Sequence, residues 1–284
     1  MLLRAIGLGA LLLSAAGEPG AATTGAQPAR EVRRLGAPTL TAAQVVERNA
    51  AARGGREAWR KIETMAWSGR VEGGSPAPLS FLLELRRPNK TRFRVTAGDR
   101  QFLRIFDGSH GWRVRPGADG APDVRAFSRE EESFARDEFV VDGPLMDHVA
   151  KGVRIQVAGM DELEGRKAHL LEVTLPSGAS RRIWIDAETF LELRSDRPST
   201  SPASRGAPVS VYYRDYRSVE GLMIPLTIEI PAADGRGSER LALEKVALNP
   251  DLPEQTFSKP ASSWKHRAQV RVGGDAPPAP RPSP

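Results

Sequence analysis

Apolar residues recur at every second position in segment after segment of this chain, and no other feature restricts its fold as strongly. In SFLLELRRP, Phe81, Leu83 and Leu85 share one face. In TRFRV, Phe93 and Val95 oppose Arg92 and Arg94, and in GWRVRP, Trp112 and Val114 oppose Arg113 and Arg115. Val153, Ile155 and Val157 alternate with Arg154 and Gln156, and Leu171, Val173 and Leu175 repeat the pattern. RRIWID sets Arg181, Ile183 and Ile185 on one side, and VSVYYRDY, PLTIEIP and RLALEKVAL complete the series. A period of two marks a strand buried on one face and wet on the other, the habit of antiparallel sheets. About ten such strands cannot remain flat, because strand twist makes a sheet of that size curl. The expected class is mainly β with minor helix (α+β). Its architecture is a strongly curved antiparallel sheet forming an unclosed half-barrel, with an N-terminal helix and a helical insert acting as a lid.

The helices announce themselves by their caps. TAAQ, Thr41 to Gln44, fits a capping box, with Leu40 and Val45 placed as a hydrophobic staple. That helix should stop at Gly54-Gly55, where glycine can adopt a left-handed terminus. REAWRKI reads as a second short helix with Trp59 and Ile62 on one face. SREEESFARDEF opens on Ser128 with Glu131 three residues on, a second capping box, and PLMDHVAKG reads as a further helical turn ending at Gly152.

The ends differ in character. Arg4 precedes an uncharged apolar run from Ala5 to Ala16, too short to span a bilayer and typical of a signal-peptide core. Residues 1–22 are therefore expected to be a signal peptide, cleaved after Ala16, Gly17 or Ala22, and the mature chain to be exported to the periplasm. Residues 23–38 read as a flexible lead-in, 39–260 as one domain, and 261–284 as a disordered Pro-rich tail. Ser195 to Pro208, SDRPSTSPASRGAP, reads as a long loop. The chain contains no cysteine, which excludes disulfides, cysteine nucleophiles and a lipidated N-terminal cysteine. Its net charge of +6 is spread along the chain without a basic, aromatic-interleaved stripe, so nucleic acid is not an expected partner. No later segment is apolar enough for stable transmembrane insertion.

Catalytic signals are weak. FDGSHGW places Asp107, Ser109 and His110 together, but a serine–histidine–aspartate site needs side chains converging from separate elements. Asp107-Gly108 between two alternating segments is a hairpin turn signal. The four histidines, His110, His148, His169 and His266, fall in no metal-binding spacing. Glu130, Glu131 and Glu132 sit in a first helical turn, where the macrodipole accounts for them. The expectation is no enzyme, no cofactor and no metal; a hydrolase built on His110 or His169 is the outlying alternative.

The apolar face remains. A curved sheet of this size has an interior larger than its own side chains easily fill. The candidate cavity residues are Phe81, Leu83, Leu85, Phe93, Val95, Trp112, Val114, Ile155, Leu171, Val173, Ile183 and Ile185, with Phe134 and Met146 from the insert closing the mouth. Burial of an acyl chain there would contribute about 0.8 kcal/mol per methylene.

Several stretches resemble the outer-membrane lipoprotein carrier superfamily (LolA/LolB-like, lipoprotein-sorting proteins). They are AAQVVERNAAARGGREAWRKIETMAWSGRV, FDGSHGWRV, RRIWIDAETFLELR, YYRDYRSVEGLMIPLTIEI and LEKVALNPDLPEQTFSKP. The resemblance spans most of Thr41 to Pro260. It implies a curved, unclosed barrel with a helical lid over an apolar cavity. The function implied is a periplasmic carrier of lipids or acylated lipoproteins, with an inner- or outer-membrane release or acceptor protein as a further partner. The alternative it implies is an envelope sensor or scaffold of the same fold that binds a protein.

Overall fold

The computed structural model describes residues 32–36, 40–73, 78–117, 121–198, 208–232 and 237–260. The expected signal peptide, the Pro-rich tail, His266 and most of the Ser195–Pro208 stretch lie outside them.

The chain begins with strand β1 (Val32–Gly36) and helices α1 (Ala42–Ala52) and α2 (Arg56–Arg60). Six consecutive strands follow: β2 (Thr64–Glu72), β3 (Leu79–Arg86), β4 (Lys90–Ala97), β5 (Arg100–Phe106), β6 (Gly111–Pro116) and β7 (Pro122–Ala126). Helix α3 (Arg129–Arg136) opens an insert, after which come β8 (Arg154–Leu163), β9 (Arg166–Thr174), β10 (Ser180–Asp186) and β11 (Glu192–Arg197). β12 (Val209–Val219), β13 (Leu222–Pro231), β14 (Ser238–Leu248) and a short 3-10 helix (Glu254–Phe257) complete the described chain. All fourteen strands form one antiparallel sheet in the order β1-β8-β9-β10-β11-β12-β13-β14-β2-β3-β4-β5-β6-β7. β1 and β7 do not meet, so this is an unclosed half-barrel with two edges. None of the described helices is long and apolar enough to cross a membrane.

Four readings need correction. The sheet has fourteen strands where the alternation indicated about ten. β1 lies within the supposed flexible lead-in and pairs with β8. Ser195, Asp196 and Arg197 belong to β11 and are buried, although their polarity resembled a loop. The stretch ending at Gly152 is a series of turns, with one helix-type hydrogen bond from the Lys151 N–H to the Asp147 carbonyl (3.2 Å).

The caps form as their residues require. Thr41 Oγ1 accepts the Gln44 N–H (3.3 Å) while the Thr41 N–H donates to Gln44 Oε1 (2.9 Å). At the far end of α1, Gly54 has φ +107°, and a Cβ there would lie 2.4 Å from the Gly221 carbonyl oxygen, so only glycine fits.

The inner face of the sheet is the one covered by the helices and the insert. Its main cluster joins Met65, Phe81, Leu83, Leu85, Phe93, Val95, Val211, Ile228 and Leu241 to Trp59, Val141 and Met146. A second cluster packs Val45 and Val46 of α1 and Leu145 onto Leu171, Val173, Ile183 and Ile185, with Leu40, Ile155 and Val157 at its margin. The outer face has apolar clusters of its own, Leu163, Leu170, Trp184 and Tyr212 in one, Leu103, Ile105 and Val114 in another.

Candidate functional site

The FDGSHGW question is settled by geometry. β5 and β6 pair as a hairpin, and Asp107 Oδ1 accepts the Ser109 and His110 N–H groups (2.8 and 2.7 Å), the signature of an Asx-type turn. His110 is exposed beside Trp112. His169 is buried and stacked on Phe190, where burial and the nearby Arg48 lower its pKa. Neither lines a pocket with the other's partners, and among the described residues no three histidine, aspartate or glutamate side chains group as metal ligands.

A pocket of about 150 Å³ lies between the inner face and the insert. Its floor is Trp67, Leu85, Phe93 and Phe106 from β2 to β5, with Tyr213, Tyr216 and Ile224 from β12 and β13. Its roof is Phe127, Phe134, Phe139 and Val140, and Arg53, Arg104, Glu131, Glu138 and Glu192 supply charge around the walls. Trp67 is buried, and its Nε1 has no hydrogen-bond partner.

Three of the sequence-derived cavity residues, Leu85, Phe93 and Phe134, meet here. Phe81, Leu83, Val95 and Met146 are buried in the main cluster, consumed by packing. Leu171, Val173, Ile183, Ile185 and Ile155 belong to the cluster under α1 and do not reach the pocket. Trp112 and Val114 point to the outer face. Directly paired residues share a face, and the register runs Leu83↔Phe93, Phe93↔Arg104, Arg104↔Arg113 and Arg113↔Arg125. The inner row thus turns from apolar to arginine at β5, and Trp112 and Val114 fall in the other row with Leu103 and Ile105.

Those arginines meet the insert. Glu131 uses one oxygen for its capping box, accepting the Ser128 N–H at Oε2 (2.9 Å). Its Oε1 lies 3.2 Å from both Arg104 and Arg113, and the Arg104 guanidinium covers the Phe127 ring at 4.2 Å. Burial pulls Arg104 down to about 10, against the pull of Glu131. Burial also opposes ionisation of Glu131, but the Ser128 N–H and the two guanidiniums outweigh it and hold the carboxyl below its usual range. Two turns on, Glu138 receives Arg181 (2.6 Å) and Arg197 (3.4 Å), with both guanidiniums against the Phe134 ring. Glu131 and Phe134 lie one turn apart on α3 and Glu138 follows two residues beyond its end, so carboxylate, ring and carboxylate all meet the sheet.

The two halves of the insert are attached differently. No residue of α3 is buried. The ties of α3 and of the two residues that follow it are polar: Glu131 and Glu138 with their arginines, Asp137 with the Ser177 hydroxyl, and Asn89 with the Arg136 carbonyl. The following turns are fixed by Val141, Leu145 and Met146, all at most 4% exposed. Asp142 there binds Arg87 (2.8 Å) and Lys151 (2.7 Å), and Asp147 binds Arg60 through both oxygens (2.9 and 2.7 Å).

The half-barrel fold is shared with a solved structure. A LolA superfamily protein from Nitrosomonas europaea superposes with a TM-score of 0.50 at 15% identity, covering 78% of this chain and 99% of the other. The chain has a LolA-like fold. Two further structures have lower scores. A DUF1329 family protein from Desulfovibrio piger gives 0.49 at 12% identity, covering 76% and 97% of the two chains. A domain named for outer membrane lipoprotein sorting, from Vibrio parahaemolyticus, gives 0.48 at 14%, covering 76% and 95%. No family model and no curated protein matches the sequence. The charged groups in and behind this pocket escaped the sequence reading because Arg104 and Arg113 look like the wet side of their strands, while Arg197 fell in the stretch read as a loop. The i, i+3, i+7 spacing of Glu131, Phe134 and Glu138 was the available signal.

Proposed function

We propose that this chain is an exported, periplasmic binding protein that carries acyl chains of lipids or acylated lipoproteins in the pocket beneath α3. The observation that carries the reading is the pairing of an aromatic and aliphatic pocket with a roof helix that buries no residue of its own. A pocket of this size matches the roughly 150 Å³ cavity that accepts benzene. Sites for drug-sized ligands usually occupy about 300–1,000 Å³. A long chain therefore enters only if α3 rises, and α3 is the part of the insert held by polar contacts that water can replace. The anchored turns after it supply the hinge. The name of the Vibrio parahaemolyticus domain agrees with this reading, and the apolar run at residues 5–16 supplies the route of export.

Native mass spectrometry of gently purified protein should reveal co-purified lipid, and delipidated protein should take up a fluorescent fatty acid. Protein that carries no lipid and takes up none would overturn the proposal. A second reading, a scaffold for a protein partner, is favoured by the outer edges of β1 and β7, which pair with no further strand among the described residues. It requires partner binding that survives a pocket-filling Leu85→Trp substitution.

A further inference from the structure

Burial of an acyl tail gives no role to the arginine pair under α3. The register that joins Arg182 to Asp196 brings Arg181 and Arg197 side by side on the inner face, where Arg181 also pairs with Val173 and Arg197 with Val209. Each is 2% exposed or less. Both reach the single carboxylate of Glu138, and two of their nitrogens, Arg181 Nε and Arg197 Nη2, are buried without a hydrogen-bond partner. Another carboxylate lining the pocket, Glu192, lies 3.8 Å from Arg53, and burial pushes its pKa up. Burial likewise pulls Arg197 down to about 10. Latching a helix needs one arginine. A second one, kept dry with unused donors, is costly unless something else uses it.

The location indicates what that is. Glu138, Phe134 and Tyr213 line the pocket, so the arginine pair lies behind the wall against which a bound tail would end. Guanidiniums offer planar forks of donors that fit the oxygens of carboxylate and phosphate. We propose that Arg181 and Arg197 form the head-group site for an anionic single-chain amphiphile, and that Glu138 occupies this site as an internal stand-in while the pocket is closed. The inference rests on the acyl-binding reading and adds the charge of the ligand to it. An incoming acid group exchanges with the Glu138 carboxylate, keeps both guanidiniums paired, and frees α3 to rise. An uncharged head offers no such exchange: it leaves Glu138 in place over the pocket or leaves two buried cations unpaired.

The test is a calorimetric comparison of three ligands sharing one palmitoyl chain: palmitate, palmitoyl lysophosphatidate and monopalmitoylglycerol, each titrated into the full-length protein. At least one acid should bind ten-fold or more tightly than the glycerol ester. Preference for palmitate alone identifies a carboxylate head, and preference for lysophosphatidate alone identifies a phosphate. In Glu138→Gln the internal competitor loses its charge, so affinity for the preferred acid should rise while that for the ester changes less. Should that variant not fold, Arg197→Lys, which keeps the charge and loses the fork, should narrow the wild-type preference. Equal affinity for all three ligands would overturn the head-group site and leave the acyl pocket standing. Binding of none would overturn both.

Discussion

At the scale of single residues, an alternating strand states which side chains share a face but not which face that is. Leu83 and Trp112 obey the same rule, yet the register sends Leu83 into the main cluster and Trp112 to the outer surface, where a separate apolar cluster receives it. The arginines opposite Trp112 were legible as a row and illegible as part of a site, because an arginine facing water and one facing a buried carboxylate look alike in sequence. Glu131 illustrates the gain from structure: the capping box was readable from Ser128, whereas the contacts to Arg104 and Arg113 needed the fold. Its depressed pKa has a definite consequence. The unfolded chain holds this carboxyl near 4.5 and the folded chain lower, so its stabilising contribution is complete above that pH and lost as pH falls through the folded value. The stability difference between wild type and Glu131→Gln, read from urea unfolding, should therefore shrink steadily below pH 4.5. A difference that stays constant from neutral pH into the acid range would show that Glu131 gains nothing from its arginines.

Among the elements, those with strong local chemistry were readable and those defined by partners were not. The caps at Thr41 and Ser128 fixed two helix starts, since each satisfies otherwise unpaired backbone donors. β1, β7 and β11 are only five or six residues long, each with two or more charged residues and no sustained apolar alternation, so their strand character comes from the neighbours they pair with. The contrast within the insert, polar ties at α3 and buried anchors after it, makes α3 the segment that should open at least cost. Ser128→Ala removes the cap and should destabilise α3 by about 0.5–2 kcal/mol. Hydrogen exchange would then quicken across residues 129–136 while β2 and β3 keep their protection. Equal quickening in the strands would mean that α3 and the sheet unfold as one unit, and a roof that moves alone would be excluded.

For the molecule as a whole, curvature was foreseeable from the number of alternating segments, because twist accumulates across a sheet. The size of the pocket was not, since it depends on how much of the inner face the helices and turns fill. Most of that face is consumed: the cluster under α1 takes Leu171, Val173, Ile183 and Ile185, and the main cluster takes Phe81, Leu83 and Val95. What remains for a ligand is the region where α3 meets β4, β5 and β12, apolar in the middle and flanked by arginine–glutamate contacts. The most direct test is photolabelling with a fatty acid that carries a diazirine in its tail, followed by peptide mapping of the adducts. Adducts should concentrate in residues 127–144 and in the β4–β5 hairpin, and excess unlabelled palmitate should suppress them. Adducts confined to the outer face around Trp112, or labelling that palmitate does not displace, would contradict a pocket beneath α3.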